Sequence, residues 1–324
     1  MVTLVSNGSK IFTDISDQKN KYRFCANSTQ NTCNWLIPVN ETSLFCKACE
    51  LNKIIPALTN WQNIERWKRI ELAKHRLIYS LFRLHLPVSS KINGNEKGLA
   101  FEFMADVSPA ERVITGHLNG TITLNIEEAD ETERTRNKLD LGEKYRTLLG
   151  HFRHETGHYY WDLLIKDNEK AIKKYRELFG DERKDYLQSL GSYYNTGAFT
   201  NWNERFISPY ASSHSWEDWS ETWSHYLLMM DTLETAYYFG IGIHPDKSQK
   251  KDINTDINFD PYTISDFDLI IKMWLPFTFA ANSLNRSMGY TDFYPFVISP
   301  VVKMKLQFIH DTCKLYANNN KDSI

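Results

Sequence analysis

No uninterrupted apolar run in the 324 residues approaches the roughly eighteen that a membrane-spanning helix needs. This argues against a transmembrane anchor and against a membrane partner. The opening stretch MVTLVSNGSKIFTDISDQKN has no charged start leading into a long apolar segment, so no secretory signal is expected. The chain is therefore expected to work in the cytoplasm. A strong charge of one sign is also missing. The formal net charge of −2 gives no electrostatic case for nucleic acid or for an anionic lipid surface. Internal repeats and low-complexity tracts are absent. What remains is a chain long enough to bury a large core, as two domains or as one with an appendage. Aromatic residues are abundant, many of them in the second half. They suit a core, or a cleft that grips side chains.

Cysteine is scarce, but four of the five cluster as Cys25, Cys33, Cys46 and Cys49. Cys46-Lys47-Ala48-Cys49 is the C-x-x-C knuckle that lets two thiolates approach one tetrahedral Zn²⁺, with Cys25 and Cys33 able to supply the other pair. Two disulfides or free thiols are the alternative. The missing export signal favours a metal. A closed four-thiolate site leaves no position for substrate, so this zinc is expected to be structural. Cys313 stands alone and reads as a buried small residue.

Hydrophobic spacing predicts a helix over 60–85 that Pro87 ends. Lys68, Arg69, Lys74, His75 and Arg76 make it locally basic; a solvated face or a polyanion contact would account for them. Strands are expected over 99–105 and 121–126, around the turn-like Gly116-His117-Leu118-Asn119-Gly120. Such a strand could hold an extended peptide if it lay at a sheet edge; an ordinary antiparallel strand is the plain reading. An acidic run (Glu127, Glu128, Asp130, Glu131, Glu133) follows. Residues 166–209 begin polar and helical, then loosen around Gly191, Gly197 and Pro209. Helices are expected again over 264–283, with Pro276 marking a kink or break, and over 301–316.

The strongest chemical signal lies in LLGHFRHETGHYYW, residues 148–161. His154-Glu155-Thr156-Gly157-His158 is an H-E-x-x-H. Tyr145, Leu148, Leu149, Phe152, Thr156, Tyr159, Tyr160 and Leu163 recur at helical spacing around it. On a helix, His154 and His158 share one face and can bind the same Zn²⁺, with Glu155 placed to act as general base on a water. A pair of solvated histidines is the bland alternative. His151 lies on the same face and reads as a supporting or surface histidine.

A catalytic zinc needs a third protein ligand. The extended pattern H-x-x-G-x-x-H would require Gly at 161 and His at 164, but the chain has Trp161 and Leu164, so that class fails. The other source is a carboxylate on a later helix. In SWEDWSETWSH, residues 215–225, Glu217, Glu221 and His225 fall along one helical face. Trp216, Trp219, Trp223 and Leu227 flank them. Carboxylates buried among aromatics need a partner, and a dication is a natural one.

HETGHYYW together with SHSWEDWSETWSHYL resembles the bacterial zinc-binding metallopeptidase family, whose members carry a cysteine-rich zinc ribbon at the N-terminus. The resemblance extends to FCANSTQNTCNW, FCKACELNKIIP and MGYTDFYPF. The family's ribbon includes cysteines before the first one here, so this ribbon would be truncated. The second segment also looks like the Y-x6-E-x3-E arrangement of the anthrax-lethal-factor-type zincins. That resemblance implies Glu217 as third ligand, Glu221 as support for a ligand imidazole, and Tyr210 as oxyanion stabiliser. Glu221 is the main competitor for the ligand role, with Asp218 behind it. Asp162, four residues after His158, could also fix a ligand tautomer. His225 reads as a neighbour of the site or a core histidine. For Tyr210 an ordinary packed tyrosine is the alternative.

The expected fold is α+β: a small cysteine-rich zinc module over 1–58, then a mainly helical zincin-like domain with a short sheet over 59–324. The expected function is zinc-dependent hydrolysis of peptide bonds, with one catalytic and one structural zinc and a peptide or protein substrate. The alternative is a binding module for nucleic acid or protein with a structural or vestigial H-E-x-x-H. Metal content and a Glu155→Gln variant discriminate the two.

Overall fold

The computed structural model describes residues 4–6, 11–14, 19–106, 108, 111–132, 147–245 and 253–320. The expected Tyr145 position and Glu133 of the acidic run lie outside them. The chain divides into two compact units, Met1–Tyr79 with Val88–Phe152, and Ser80–Pro87 with Arg153–Ile324. Among the described residues no helix is long and apolar enough to cross a membrane.

The first unit begins with an antiparallel meander of β1 (Leu4–Ser6), β2 (Ile11–Asp14), β3 (Lys21–Phe24) and β4 (Leu36–Pro38), paired in that order. Cys25 and Cys33 lie between β3 and β4; Cys46 and Cys49 follow β4. The second sheet has the order β5-β6-β8-β7, from β5 (Asn52–Ile54), β6 (Ala100–Met104), β7 (Gly116–Leu118) and β8 (Thr121–Asn125). β5, β6 and β8 run parallel, and β7 is antiparallel to β8. Parallel neighbours need a long crossover, and the one from β5 to β6 carries α1 (Trp61–Arg83). Alternation decides what each strand buries. Ile122 and Leu124 on β8 and Phe101 and Phe103 on β6 are fully buried, while Thr121, Thr123 and Glu102 are half-buried.

Asn119 and Gly120 both adopt positive φ (48° and 78°) and link Leu118 directly to Thr121 across the ladder. This is the Asn-Gly turn whose twist matches a hairpin. β7, not β8, is the edge strand beside it. Trp67, Ile70 and Leu77 of α1 are buried as the spacing predicts, but so is Lys74. Its ammonium reaches Glu71 at 2.9 Å and also bonds the Asn52 amide oxygen. It lies 5.7 Å and 5.6 Å from the rings of Phe101 and Phe103. The basic positions of α1 are engaged at home: Lys68 pairs with Glu65 and Arg69 bonds the Ala129 carbonyl.

The second unit is helical. α2 is Leu148–Leu164, α3 Glu169–Phe179, α4 Tyr186–Thr196, α5 Ser215–Tyr238, α6 Phe267–Ser287 and α7 Pro300–Asn319; β9 (Gly242–Ile243) and β10 (Thr255–Asp256) form a small ribbon. Side-chain oxygens cap the first turns as capping chemistry requires. Asn168 accepts from the Ala171 amide, Asp185 from Gln188, Asp266 from Asp268 and Ser299 from Val302. α6 runs helical through Pro276 instead of breaking there.

α5 is the axis of this unit and packs against α3, α6 and α7. It buries residues on every side, including Glu217, Asp218, His225, Asp231 and Glu234. Buried charge must be partnered. Asp218 meets Lys305 of α7 at 2.6 Å. Asp231 accepts from Ser80 and Tyr262 and pairs with Arg153. Glu234 meets Arg83 at 2.8 Å. The architecture is thus mainly helical with small sheets and a cysteine cluster at its N-terminal end, as the sequence led us to expect.

Candidate metal centres

α2 presents His154 and His158 one turn apart, their ring centroids separated by 5.0 Å. Facing them is α5, and Gly157 is what lets the two helices come so close. A Cβ built on Gly157 would sit 2.8 Å from the Ser220 Cα and 3.0 Å from its Oγ. The Gly157 carbonyl accepts a 2.8 Å bond from the Trp219 indole. The helices therefore meet backbone against side-chain root.

This approach fixes both imidazoles. His154 Nδ1 lies 2.8 Å from Glu221 Oε1, and His158 Nδ1 lies 2.8 Å from Ser220 Oγ. A carboxylate only accepts, so Nδ1 of His154 carries a proton, and any proton on its Nε2, which also faces a carboxylate, is one that a bound metal would displace. Both Nε2 atoms turn toward one carboxylate: Glu217 Oε2 is 3.0 Å from His154 Nε2, and Glu217 Oε1 is 3.5 Å from His158 Nε2. One donor atom from each of these three residues lies within 4.8 Å of the others. Glu221 is occupied on the far side of His154, where its second oxygen accepts from Ser208 at 2.6 Å. Asp218, the third acidic candidate, points to Lys305.

The electrostatics match. Burial disfavours charge on Glu217, yet the imidazoles of His158 and His154 hold its carboxyl well below the usual range. Burial likewise works against charge on His154, but Glu217 and Glu221 outweigh it and raise its pKa well above the usual value. Two imidazoles around an anion that holds protons this strongly also suit a small dication, which would displace those protons.

Glu155 is half-buried beside this group. The ring of Tyr210 stands 6.1 Å from that of His154. Burial, and then the charge of Glu217, push its hydroxyl far above the ordinary tyrosine range, so it stays a donor. Asp162 pairs with Lys166 at 3.2 Å; Ser220 is the group on His158 Nδ1. His225 is buried, 2.9 Å from the Tyr294 hydroxyl, and burial lowers its pKa to about 4. His151 pairs with Glu128 of the acidic run.

Two contributors were not legible in the sequence, and a third, Trp216, was read only as a flanking aromatic. Tyr186 donates to Glu217 Oε1 at 2.7 Å; it begins a helix far from either motif, and no spacing marks it. Ser220 lies between the two glutamates, three residues after Glu217, and no spacing marks it either. Trp216 lies against His158, its ring centroid 4.1 Å away.

The second cluster is in the first unit. Cys25, Cys33, Cys46 and Cys49 are all buried and unbridged, with their sulfurs within 4.8 Å of one another. Cys33 and Cys46 are 3.7 Å apart, far beyond disulfide bonding. Amides of Trp35 and Cys46 donate to the sulfurs of Cys33 and Cys25 at 3.4 Å and 3.3 Å. Four buried thiols in contact, with amides aimed at sulfur, fit a zinc site. His75 of α1 also reaches this cluster.

Residues 63–312 match the model of a family described as "Putative zinc-binding metallo-peptidase", and residues 1–60 match that of a zinc-ribbon domain. Similar chains include uncharacterized proteins of Mycobacterium bovis and of two strains of Mycobacterium tuberculosis. Each is 40% identical over 290 residues, covering 89% of this chain and 81% of the relative. No solved structure matches.

Proposed function

We propose that this chain, which belongs to the zinc-binding metallo-peptidase family, hydrolyses peptide bonds at a zinc held by His154, His158 and Glu217. The observation that carries the reading is the turning of two Nε2 atoms toward one carboxylate, with Glu221 and Ser220 holding the opposite nitrogens. Such backing of ligand imidazoles is the usual support of a metal site. Bound there, zinc supplies Lewis-acid polarisation of a substrate carbonyl and acidifies water.

The protein's own groups do the rest. Glu155 accepts the proton of the attacking water and returns it to the departing amine. Tyr210, kept protonated by its burial, donates to the oxygen on which charge develops. Tyr186 orients Glu217 from behind. Glu221 and Ser220 keep His154 and His158 in the tautomer that leaves Nε2 free. The thiol cluster holds a second, structural zinc.

Glu155→Gln tests the mechanism. It keeps the metals bound to wild-type protein but loses hydrolysis of peptide or protein substrates by at least the roughly 10²–10⁴-fold of a lost general base. A variant as active as the wild type refutes the assignment.

A further inference from the structure

α4 (Tyr186–Thr196) holds its place with no fully buried residue. Eleven residues are too few for a helix to persist on propensity alone, so caps and contacts must hold it. Asp185 caps its start, and two tyrosines tie it to the histidine site. Tyr186 donates to Glu217 Oε1 at 2.7 Å, and the ring of Tyr193 stands edge-on to that of Tyr210, 5.7 Å away. With Ser189 and Leu190 these two form a half-buried inner stripe, at the spacing of one helical face.

A second stripe runs beside it. Leu187, Gly191 and Tyr194 are spaced i, i+4 and i+7 and so share a face. Leu187 is 79% exposed and Tyr194 61%. The far side of the helix is polar, with Gln188, Ser192 and Asn195. The apolar stripe borders the histidine site, since the Tyr194 hydroxyl acts electrostatically on those of both Tyr186 and Tyr210. Gly191 answers to no demand inside the chain. It is helical with no positive φ, so its backbone does not require glycine. A Cβ built on it meets nothing within 4 Å, so packing does not require it either. Yet glycine is among the poorest residues for a helix interior. Bare backbone between two exposed apolar side chains leaves a notch for something outside the fold.

We infer that this face is the wall on which a substrate peptide docks, its backbone crossing Gly191 and an apolar side chain seated between Leu187 and Tyr194. The inference rests on the peptidase reading of the histidine site. The occupant follows from continuity: a chain with its scissile carbonyl at that site runs beside α4, which touches Glu217 through Tyr186. An apolar side chain there takes Leu187 and Tyr194 out of water. A charged one finds no counter-charge on that face.

Hydroxamates, which chelate zinc, test both readings by calorimetry on the zinc-loaded full chain. Acetohydroxamate reads the metal site alone. Two pairs then place a side chain to either side of it: the hydroxamates of N-acetylglycine and N-acetylleucine, and succinyl monohydroxamates without and with an isobutyl branch. In at least one pair the branched member should bind about tenfold tighter, as partial burial of an apolar side chain provides. Gly191→Leu fills the notch and Tyr194→Ala removes one wall, and each should bring that ratio close to one. Gly191→Leu should melt no lower than wild type, because its Cβ meets open space and leucine favours a helix; should it melt lower, Tyr194→Ala decides. Equal binding within both pairs, or a preference that survives Tyr194→Ala or a folded Gly191→Leu, overturns the inference and leaves the metal site standing. Failure of acetohydroxamate to bind overturns the peptidase reading and this inference with it.

Discussion

Replacing Gly157 by Ala sets two physical effects against each other. Helix propensity alone predicts a gain, because Gly in a helix interior is about 1 kcal/mol worse than Ala. Packing predicts a loss. The new Cβ would stand 2.8 Å from the Ser220 Cα, and carbon atoms in ordinary contact are about 3.5–4.0 Å apart. α2 and α5 must therefore separate by about 0.7–1.2 Å there. The obstacle is backbone, which cannot rotate away, so the overpacking cost of about 1–3 kcal/mol applies in full. The net expectation is a loss of up to about 2 kcal/mol once the propensity gain is subtracted. The metal site is hit harder. Glu217 and Ser220 ride on α5 and His158 on α2, and ligand distances tolerate only about 0.2 Å. Zinc affinity at the histidine site should fall at least the roughly 10–100-fold of a lost supporting contact. Titration against a chromogenic chelator and thermal melts with and without zinc measure both. A variant that binds zinc like the wild type and melts at a higher temperature refutes the packing argument.

The two glutamates should separate by metal affinity: Glu217→Gln releases the histidine-site zinc on dialysis, whereas Glu221→Gln weakens it about 10–100-fold. The reverse order by metal analysis would exchange their roles. Tyr210→Phe should lower kcat about 10²–10³-fold with zinc content unchanged; equal kcat would leave Tyr210 a packing residue. Acid stability follows from His310, whose Nε2 donates to the Ser265 carbonyl at 3.1 Å while Tyr226 bonds Nδ1 at 3.1 Å. Burial lowers its pKa from 6.5 to about 4, so between those values the unfolded chain binds a proton that the folded chain does not. Its contribution is complete above pH 6.5 and is lost as pH falls toward 4, by on the order of 3 kcal/mol. Denaturant melts across that range should show a shallower decline in His310→Gln than in wild type; an identical decline would refute the assignment.

Much of the architecture was legible because it is periodic. α1, α2 and α7 fall where apolar residues recur at helical spacing, and β6 and β8 where they alternate. Of the turn-like segment Gly116–Gly120, only Asn119-Gly120 turns, with two positive φ values that few other pairs tolerate, while Gly116–Leu118 is strand β7. Where reading failed, two effects competed. Of the kink or break suggested at Pro276, the break does not occur: the helix packed into the core continues through it. Lys74 and His75 looked like a basic solvated face, yet each points inward to a partner from a distant segment. Periodicity describes which face a residue occupies, not what waits opposite it.

The same limit divides what the chain alone determined from what folding decided. Sequence fixed the pairing of His154 with His158, since a helical turn places residues four apart on one face wherever that helix lies. It likewise confined the metal chemistry to a few carboxylates and thiols. Which carboxylate meets the Nε2 atoms, that Ser220 and Tyr186 stand behind the donors, and that His75 reaches the cysteines were decided only by tertiary packing. Those contacts span tens of residues along the chain, and at the histidine site their geometry depends on how closely α2 and α5 approach over Gly157, a distance no local pattern encodes.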